Sequence, residues 1–215
     1  MSFVHSPLVI TLVLLTGCTS ENHMKGPLII KEARLPAGFP PPGPVGKIIV
    51  KKYPADRRAL VRGGDVGVDG DSSAMFRPLY NHIKRNNISM TAPVEMGFPE
   101  NGESDKGASS MAFLYGKPSW GALGPDAEDQ RVVVVDVPAM TVVSIGIRGR
   151  YTNANFKSAL GKLNEWVAQN DPRVRVRGEP RYLGYNSPFV LGFLRYGEVQ
   201  LPVVFNERAN ERVSP

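Results

Sequence analysis

With 215 residues, 42% hydrophobic and 21% charged, the chain is long enough for one folded domain with appendages and has an ordinary globular composition. Its formal charge of +6 is scattered along the sequence without a groove-reading motif, so nucleic acid is not an expected partner. A single cysteine, Cys18, excludes an internal disulfide.

Residues 7–15, PLVITLVLL, have the length of a signal-peptide apolar core and are too short to cross a bilayer as a helix. They run into Leu15-Thr16-Gly17-Cys18, which resembles a bacterial lipobox, although residues 1–6 contain no Lys or Arg where a basic stretch is usual. That resemblance implies cleavage before Cys18 and lipidation of its thiol and new amino group, because two anchoring signals hold stably where one acyl chain does not. An ordinary secretory signal is the alternative. Thr19, rather than Asp, after the cysteine implies the outer membrane of a two-membrane cell, with the domain facing the periplasm. The organisation expected is a signal peptide at 1–17, a Pro-rich tether at 18–45, a folded domain at 46–205 and a tail at 206–215. Prolines fix φ and lack a backbone donor, which favours extended chain over ladder pairing in the tether. Residues 28–35 are also open to a short turn on the domain surface.

From Gly46 to Arg62 the Ile, Val and Tyr content predicts a strand, a bend at Pro54-Ala55 and a second extended piece. Periodicity predicts a helix over 72–85, with Met75, Phe76, Leu79, Tyr80 and Ile83 in an arc of about 140° and Asp71 or Ser72 as its cap. An Asn86-Asn87 turn follows, then strands over 88–96 and 110–116 around a polar loop at 97–109. The second half repeats the plan: extended chain over 131–148 with a bend at Pro138-Ala139, a helix over 153–169, and extended segments at 174–185 and 190–204. Arg173, Arg175 and Arg177 alternate with valine and read as a solvated strand face. The two Pro-Ala bends lie 84 residues apart. This self-similarity predicts an α+β domain of two β-α-β-β repeats, closing together into one distorted antiparallel barrel flanked by two helices.

Two stretches resemble the SOUL haem-binding family. The family pattern L-x-x-Y-I-x-x-x-N followed by M-T-A-P-V meets Leu79, Ile83, Asn87 and Met90-Thr91-Ala92-Pro93-Val94, with His82 standing where the family has its tyrosine. A second pattern, Y-N-x-P then R-R-N-E-V, meets Tyr185-Asn186-Ser187-Pro188 and three of five places in Arg195-Tyr196-Gly197-Glu198-Val199. The resemblance implies the same distorted barrel, haem as ligand, and contacts from the first helix and the loop before the final strand. It doesn't imply an iron-ligating histidine.

His5 and His23 lie outside the domain, so His82 is its sole histidine, and a three-histidine zinc site is excluded. No G-x-S-x-G turn or complete phosphate-binding loop is present. A porphyrin needs apolar walls, cations for its propionates and, optionally, an axial ligand. Met75, Leu79, His82, Ile83 and Arg195 are therefore the candidate haem-binding residues, with Arg77 and Lys84 as further cations. His82, about 20° outside the apolar stripe, is the candidate iron ligand. The M-T-A-P-V strand reads as structural, with Met90 and Val94 facing the interior. The expected function is non-catalytic binding of haem or another tetrapyrrole by a monomeric, membrane-tethered envelope protein. The alternative is an effector-type domain of gyrase-inhibitor-like fold, taking a non-haem apolar or cationic ligand. A groove filled by its own side chains would mark an interaction domain, and a catalytic acid at Glu95 or Glu198 an enzyme.

Overall fold

In the computed structural model, residues 29–66, 73–99 and 108–206 are described. The candidate caps Asp71 and Ser72, the lipobox with Cys18, and His5 and His23 lie outside them. Ten strands form one antiparallel sheet: β1 (Ile48–Tyr53), β2 (Asp56–Val66), β3 (Val94–Gly97), β4 (Ala108–Leu114), β5 (Gly124–Pro125), β6 (Val132–Val137), β7 (Met140–Arg148), β8 (Val174–Val176), β9 (Arg181–Gly184) and β10 (Tyr196–Phe205). Two helices, α1 (Ser73–Arg85) and α2 (Asn153–Gln169), pack on one face of it.

The strand order, β1-β7-β10-β9-β3-β4-β2-β6-β5, reads as a palindrome about the β9–β3 pair once the two-residue β5 is set aside. β1 and β6 begin 84 residues apart, as do β2 and β7. The internal repeat is thus real, and it has a twist. β1 of the first repeat pairs with β7 of the second, while β6 of the second pairs with β2 of the first. Each half completes the other's sheet. The barrel expected from the sequence is an open, distorted version: among the described residues, β1 and β5 end the hydrogen-bonded path without pairing to one another.

Alternation along each strand sorts side chains onto two faces. Ala59, Val61, Met111, Phe113, Val143, Ile145, Val199 and Leu201 face the helices and meet Met75, Leu79, Ile83, Phe156, Ala159 and Leu163 in the main core. α1 turns into the following strand through Asn87, whose φ of 52° is one that asparagine tolerates. α2 starts at a Thr152 cap, whose hydroxyl accepts from the Asn155 N–H.

The opposite face carries charge, yet it is buried. Glu198 accepts from Lys51 Nζ (2.6 Å), Gly43 N–H (2.5 Å), Gln200 Nε2 (2.7 Å), Tyr196 O–H (2.9 Å) and Ser144 O–H (3.0 Å). Arg181 donates to Gln200 Oε1 and, at 2.8 Å, to Glu95, which also pairs with Arg58; Arg58 in turn holds Asp56. Residues 36–44 cover this band, with Phe39 edge-on to Tyr53 at 5.0 Å and Lys51 donating to the Pro41 carbonyl. Residues 29–45, expected as part of a semi-rigid tether with 28–35 open to a turn on the domain surface, lie on the domain. Their prolines avoid the ladder while their carbonyls and Gly43 N–H satisfy buried groups.

Removing one partner of a buried pair strands the other charge. Lys51→Met should lower unfolding free energy by about 3 kcal/mol, read from urea denaturation, and more than an exposed change such as Lys52→Met.

Candidate functional site

A cavity of about 790 Å³ opens where β3 meets β9, at the centre of the palindrome. Val94 pairs with Gly184 and Met96 with Tyr182 across this seam. Met90, Thr91, Ala92 and Val94 line one side, and Tyr185, Asn186, Ser187 and Pro188 line the other. Phe76, Met96, Met111, Trp120 and Tyr151 complete a largely apolar wall, and Glu32, Ala33, Arg34 and Leu35 form a strap along it. Arg34 and Lys117 bring the cations.

The two motifs are also structural hubs. The Ala92–Pro93 peptide is cis, Thr91 donates to the Leu114 carbonyl at 2.5 Å, and Ala92 N–H donates to the Arg34 carbonyl at 2.9 Å. Asn186 donates to the Ile30 carbonyl at 2.8 Å and accepts from Tyr196 N–H at 2.9 Å. The Tyr151 hydroxyl accepts from Asn186 N–H at 3.0 Å and donates to the Tyr196 carbonyl at 2.9 Å, while burial pushes its pKa up to about 12. Glu32 accepts from both the N–H and the hydroxyl of Ser187, at 2.7 and 2.6 Å. The strap is thereby stitched to both motifs.

The M-T-A-P-V segment, read from the sequence as structural only, thus also forms a cavity wall. The first helix, expected to hold the ligand, contributes Phe76 to that wall. Met75, Leu79 and Ile83 are buried beneath the helix in the core, because the apolar stripe that made them candidates is the stripe the sheet covers. Arg195 donates to the Val190 and Pro188 carbonyls beside the cavity rather than lining it. Arg77 and Lys84 are exposed on α1.

His82 does not lean over an open face. It is 4% exposed, its Nδ1 lies 2.5 Å from Asp126 Oδ2 and its Nε2 lies 2.6 Å from the Tyr115 hydroxyl. Both ring nitrogens are engaged, so the reachable nitrogen expected of a boundary residue is absent. Asp126 also accepts from Arg85 at 2.6 Å and from the Glu128 and Asp129 N–H groups. Burial acts to raise the Asp126 pKa, but the hydrogen bonds from His82, Asp129, Glu128 and Arg85 outweigh it and hold the value at about 2. Burial, with Asp126 nearby, pushes Tyr115 up to about 12. Glu95 and Glu198, the candidate catalytic acids, sit in the buried band and outside the cavity lining. Burial raises Glu95, yet Arg58 and Arg181 together pull it below its ordinary range. Among the described residues, no group of three or more His, Cys, Asp or Glu side chains gathers as a metal site.

The profile of the family described as "SOUL heme-binding protein" matches residues 46–202, which include both motifs and the seam. The chain belongs to the SOUL family. No curated protein sequence matches it. Among solved structures, this SOUL chain resembles the C-terminal domain of EcmrR, at 17% identity and a TM-score of 0.55, over 74% of this chain and 98% of that one. It also resembles EcmrR in a DNA-bound complex, at 14% identity and a TM-score of 0.60, over 74% of this chain but 58% of that one. The chain thus spans little more than half of that regulator. A hydrolase from Listeria innocua is similar at 15% identity and a TM-score of 0.53, over 75% and 94% of the two chains. At such identities the likeness is one of fold.

The Asp126 cluster sets a pH dependence for the SOUL domain. A carboxyl whose folded value lies below its unfolded one stabilises fully above roughly pH 4 and loses that contribution as pH falls through the folded value. Urea midpoints followed from neutral pH down to about 2 should drop more steeply in wild type than in Asp126→Asn, which starts lower and varies less.

Proposed function

We propose that the cavity at the β3–β9 seam binds haem or another tetrapyrrole without catalysing a reaction, in a protein tethered to the bacterial envelope through lipidated Cys18. The observation that carries the reading is the pairing of an apolar cavity of about 790 Å³, walled by both SOUL motifs, with Arg34 and Lys117 in its lining. That volume falls in the range of sites that enclose cofactor-sized ligands. Among the described lining residues the one carboxylate is Glu32, and Ser187 already occupies it. A cationic guest would find no spare buried carboxylate there, whereas an apolar plate with anionic edges would meet fitting chemistry. This supports a porphyrin over the cationic ligand of the effector-type alternative.

Bound in the cavity, haem would supply an iron centre, and the chain would supply everything around it. Phe76, Val94, Trp120 and Tyr185 offer apolar walls, Arg34 and Lys117 charge for the propionates, and Met90, Met96 and Met111 thioethers of the kind that ligate haem iron. His82 could ligate only by giving up Tyr115 at Nε2 or Asp126 at Nδ1.

Haemin titration should give a saturable Soret change at micromolar concentration. Its position should be unmoved in His82→Ala, while Arg34→Ala/Lys117→Ala weakens binding about tenfold through lost charge pairing. No saturable change at that concentration would sink the proposal. For the anchor, wild-type cells fed labelled palmitate should yield a labelled, membrane-bound protein, and Cys18→Ser should yield neither. An unlabelled wild type would make the Cys18 reading wrong.

A further inference from the structure

The segment between Tyr185-Asn186-Ser187-Pro188 and β10 places three large apolar side chains in water. Phe189 is 95% exposed, Leu191 61% and Phe193 68%, at alternate positions, while Val190 between them is buried. Isolated exposed apolar residues are common, but three on one short loop form a patch that marks an interaction site. The loop is firmly held. Arg195 donates to the carbonyls of Pro188 and Val190 at 2.5 and 2.8 Å, Arg148 donates to that of Leu194 at 2.8 Å, and residues 192–194 form a short 3-10 turn. Arg150, exposed, lies so close over Gly192 that a Cβ there would meet its side chain at 2.7 Å. Three arginines therefore surround the base of an apolar tip.

We propose that residues 187–195 are a membrane-insertion loop, in which Phe189, Leu191 and Phe193 enter the headgroup–acyl boundary of an anionic phospholipid bilayer while Arg148, Arg150 and Arg195 face its phosphates. Apolar side chains backed by arginines have the chemistry of interfacial membrane binding, in which buried apolar area and attraction to anionic lipid add. Arginine also suits this layer because its guanidinium stays charged and is weakly hydrated. The course of the chain agrees. Ile30, itself 44% exposed, is fixed to Asn186 at the foot of the loop, and the twelve residues from Cys18 to Ile30 can span at most about 40 Å. An anchor on Cys18 would hold the domain with this loop near the same bilayer. Ser187 and Pro188 belong to both the loop and the cavity wall, so insertion would turn the cavity rim towards lipid. The inference rests on the envelope setting and Cys18 anchor proposed above and stands apart from haem binding, and its test on Cys18→Ser reads insertion without the anchor.

The test uses the full chain carrying Cys18→Ser, which removes the anchor and leaves Leu191→Cys as the sole thiol for an environment-sensitive NBD label; a second preparation carries the label at Asn81→Cys, exposed on α1 in the other half. Adding phosphatidylcholine vesicles containing phosphatidylglycerol should blue-shift and brighten the label at 191 but not at 81. Phe189→Ser/Phe193→Ser should weaken vesicle co-sedimentation about tenfold or more, since each phenylalanine withdraws a large apolar area. Two results would overturn the proposal. They are no change at 191, or a change without vesicles that grows with protein concentration (self-association of the loops).

Discussion

A chain of buried charge holds the two halves of this domain in register. Arg58 and Arg181 clamp Glu95 from strands on either side of it, Arg181 passes to Gln200, and Gln200 passes to Glu198, where Lys51 and the Gly43 N–H close the sequence. Apart from the Gln200–Glu198 link within β10, each joins a residue of one strand to a residue elsewhere, and together they cross β1, β10, β9, β3 and β2. Such groups are costly to desolvate, and an incompletely paired arrangement would be worse than an apolar one. The network therefore rewards one alignment of the sheet and penalises a slip by a single residue, which would turn each charge to the helix face. Burial lowers the pKa of Lys51, and the contact with Glu198 opposes that shift. The charge pair is thus a mutual requirement rather than an ornament on the surface.

The cavity follows from that alignment. Because β3 and β9 meet at the palindrome's centre, the segments entering and leaving them converge, and those segments are the two SOUL signatures. Their residues answer two demands together. Thr91 and Asn186 tie down irregular backbone that no strand partner satisfies, while Met90, Val94 and Tyr185 present apolar surface to the space left between the halves. The strap at Glu32–Leu35 belongs to neither repeat, and its carboxylate and carbonyl reach both signatures.

Local pattern carried much of the architecture. The bends at Pro54-Ala55 and Pro138-Ala139 marked the strand pairs, and α2 spans the residues its Phe156, Ala159 and Leu163 periodicity required. α1 runs to Arg85, the end its periodicity required. The site was far less legible, for two physical reasons. Helical periodicity finds the buried stripe, so Met75, Leu79 and Ile83 were singled out because they pack, and packing is what removes them from a ligand's reach. Charge in a strand reads as solvent-facing, so nothing local distinguished Glu95, Glu198 or Lys51 from surface residues until the opposite face proved covered by residues 36–44. His82 illustrates both reasons. Its partners Asp126 and Tyr115 lie 44 and 33 residues away, just past the ends of β5 and β4, and no spacing rule links them.

The exchange of first strands between the repeats also fixes the order in which the molecule can form. Among the described residues β1 has no ladder partner other than β7, so an Ile- and Val-rich segment near the start of the domain must wait until residues beyond 140 have left the ribosome. Neither repeat is a self-sufficient folding unit, and nearly all the pairings that matter are distant in sequence. High contact order of this kind makes closure late and slow. It also leaves an aggregation-prone strand exposed on the nascent chain until β7 has been made, a burden the charged residues Lys51 and Lys52 within that strand help to lighten.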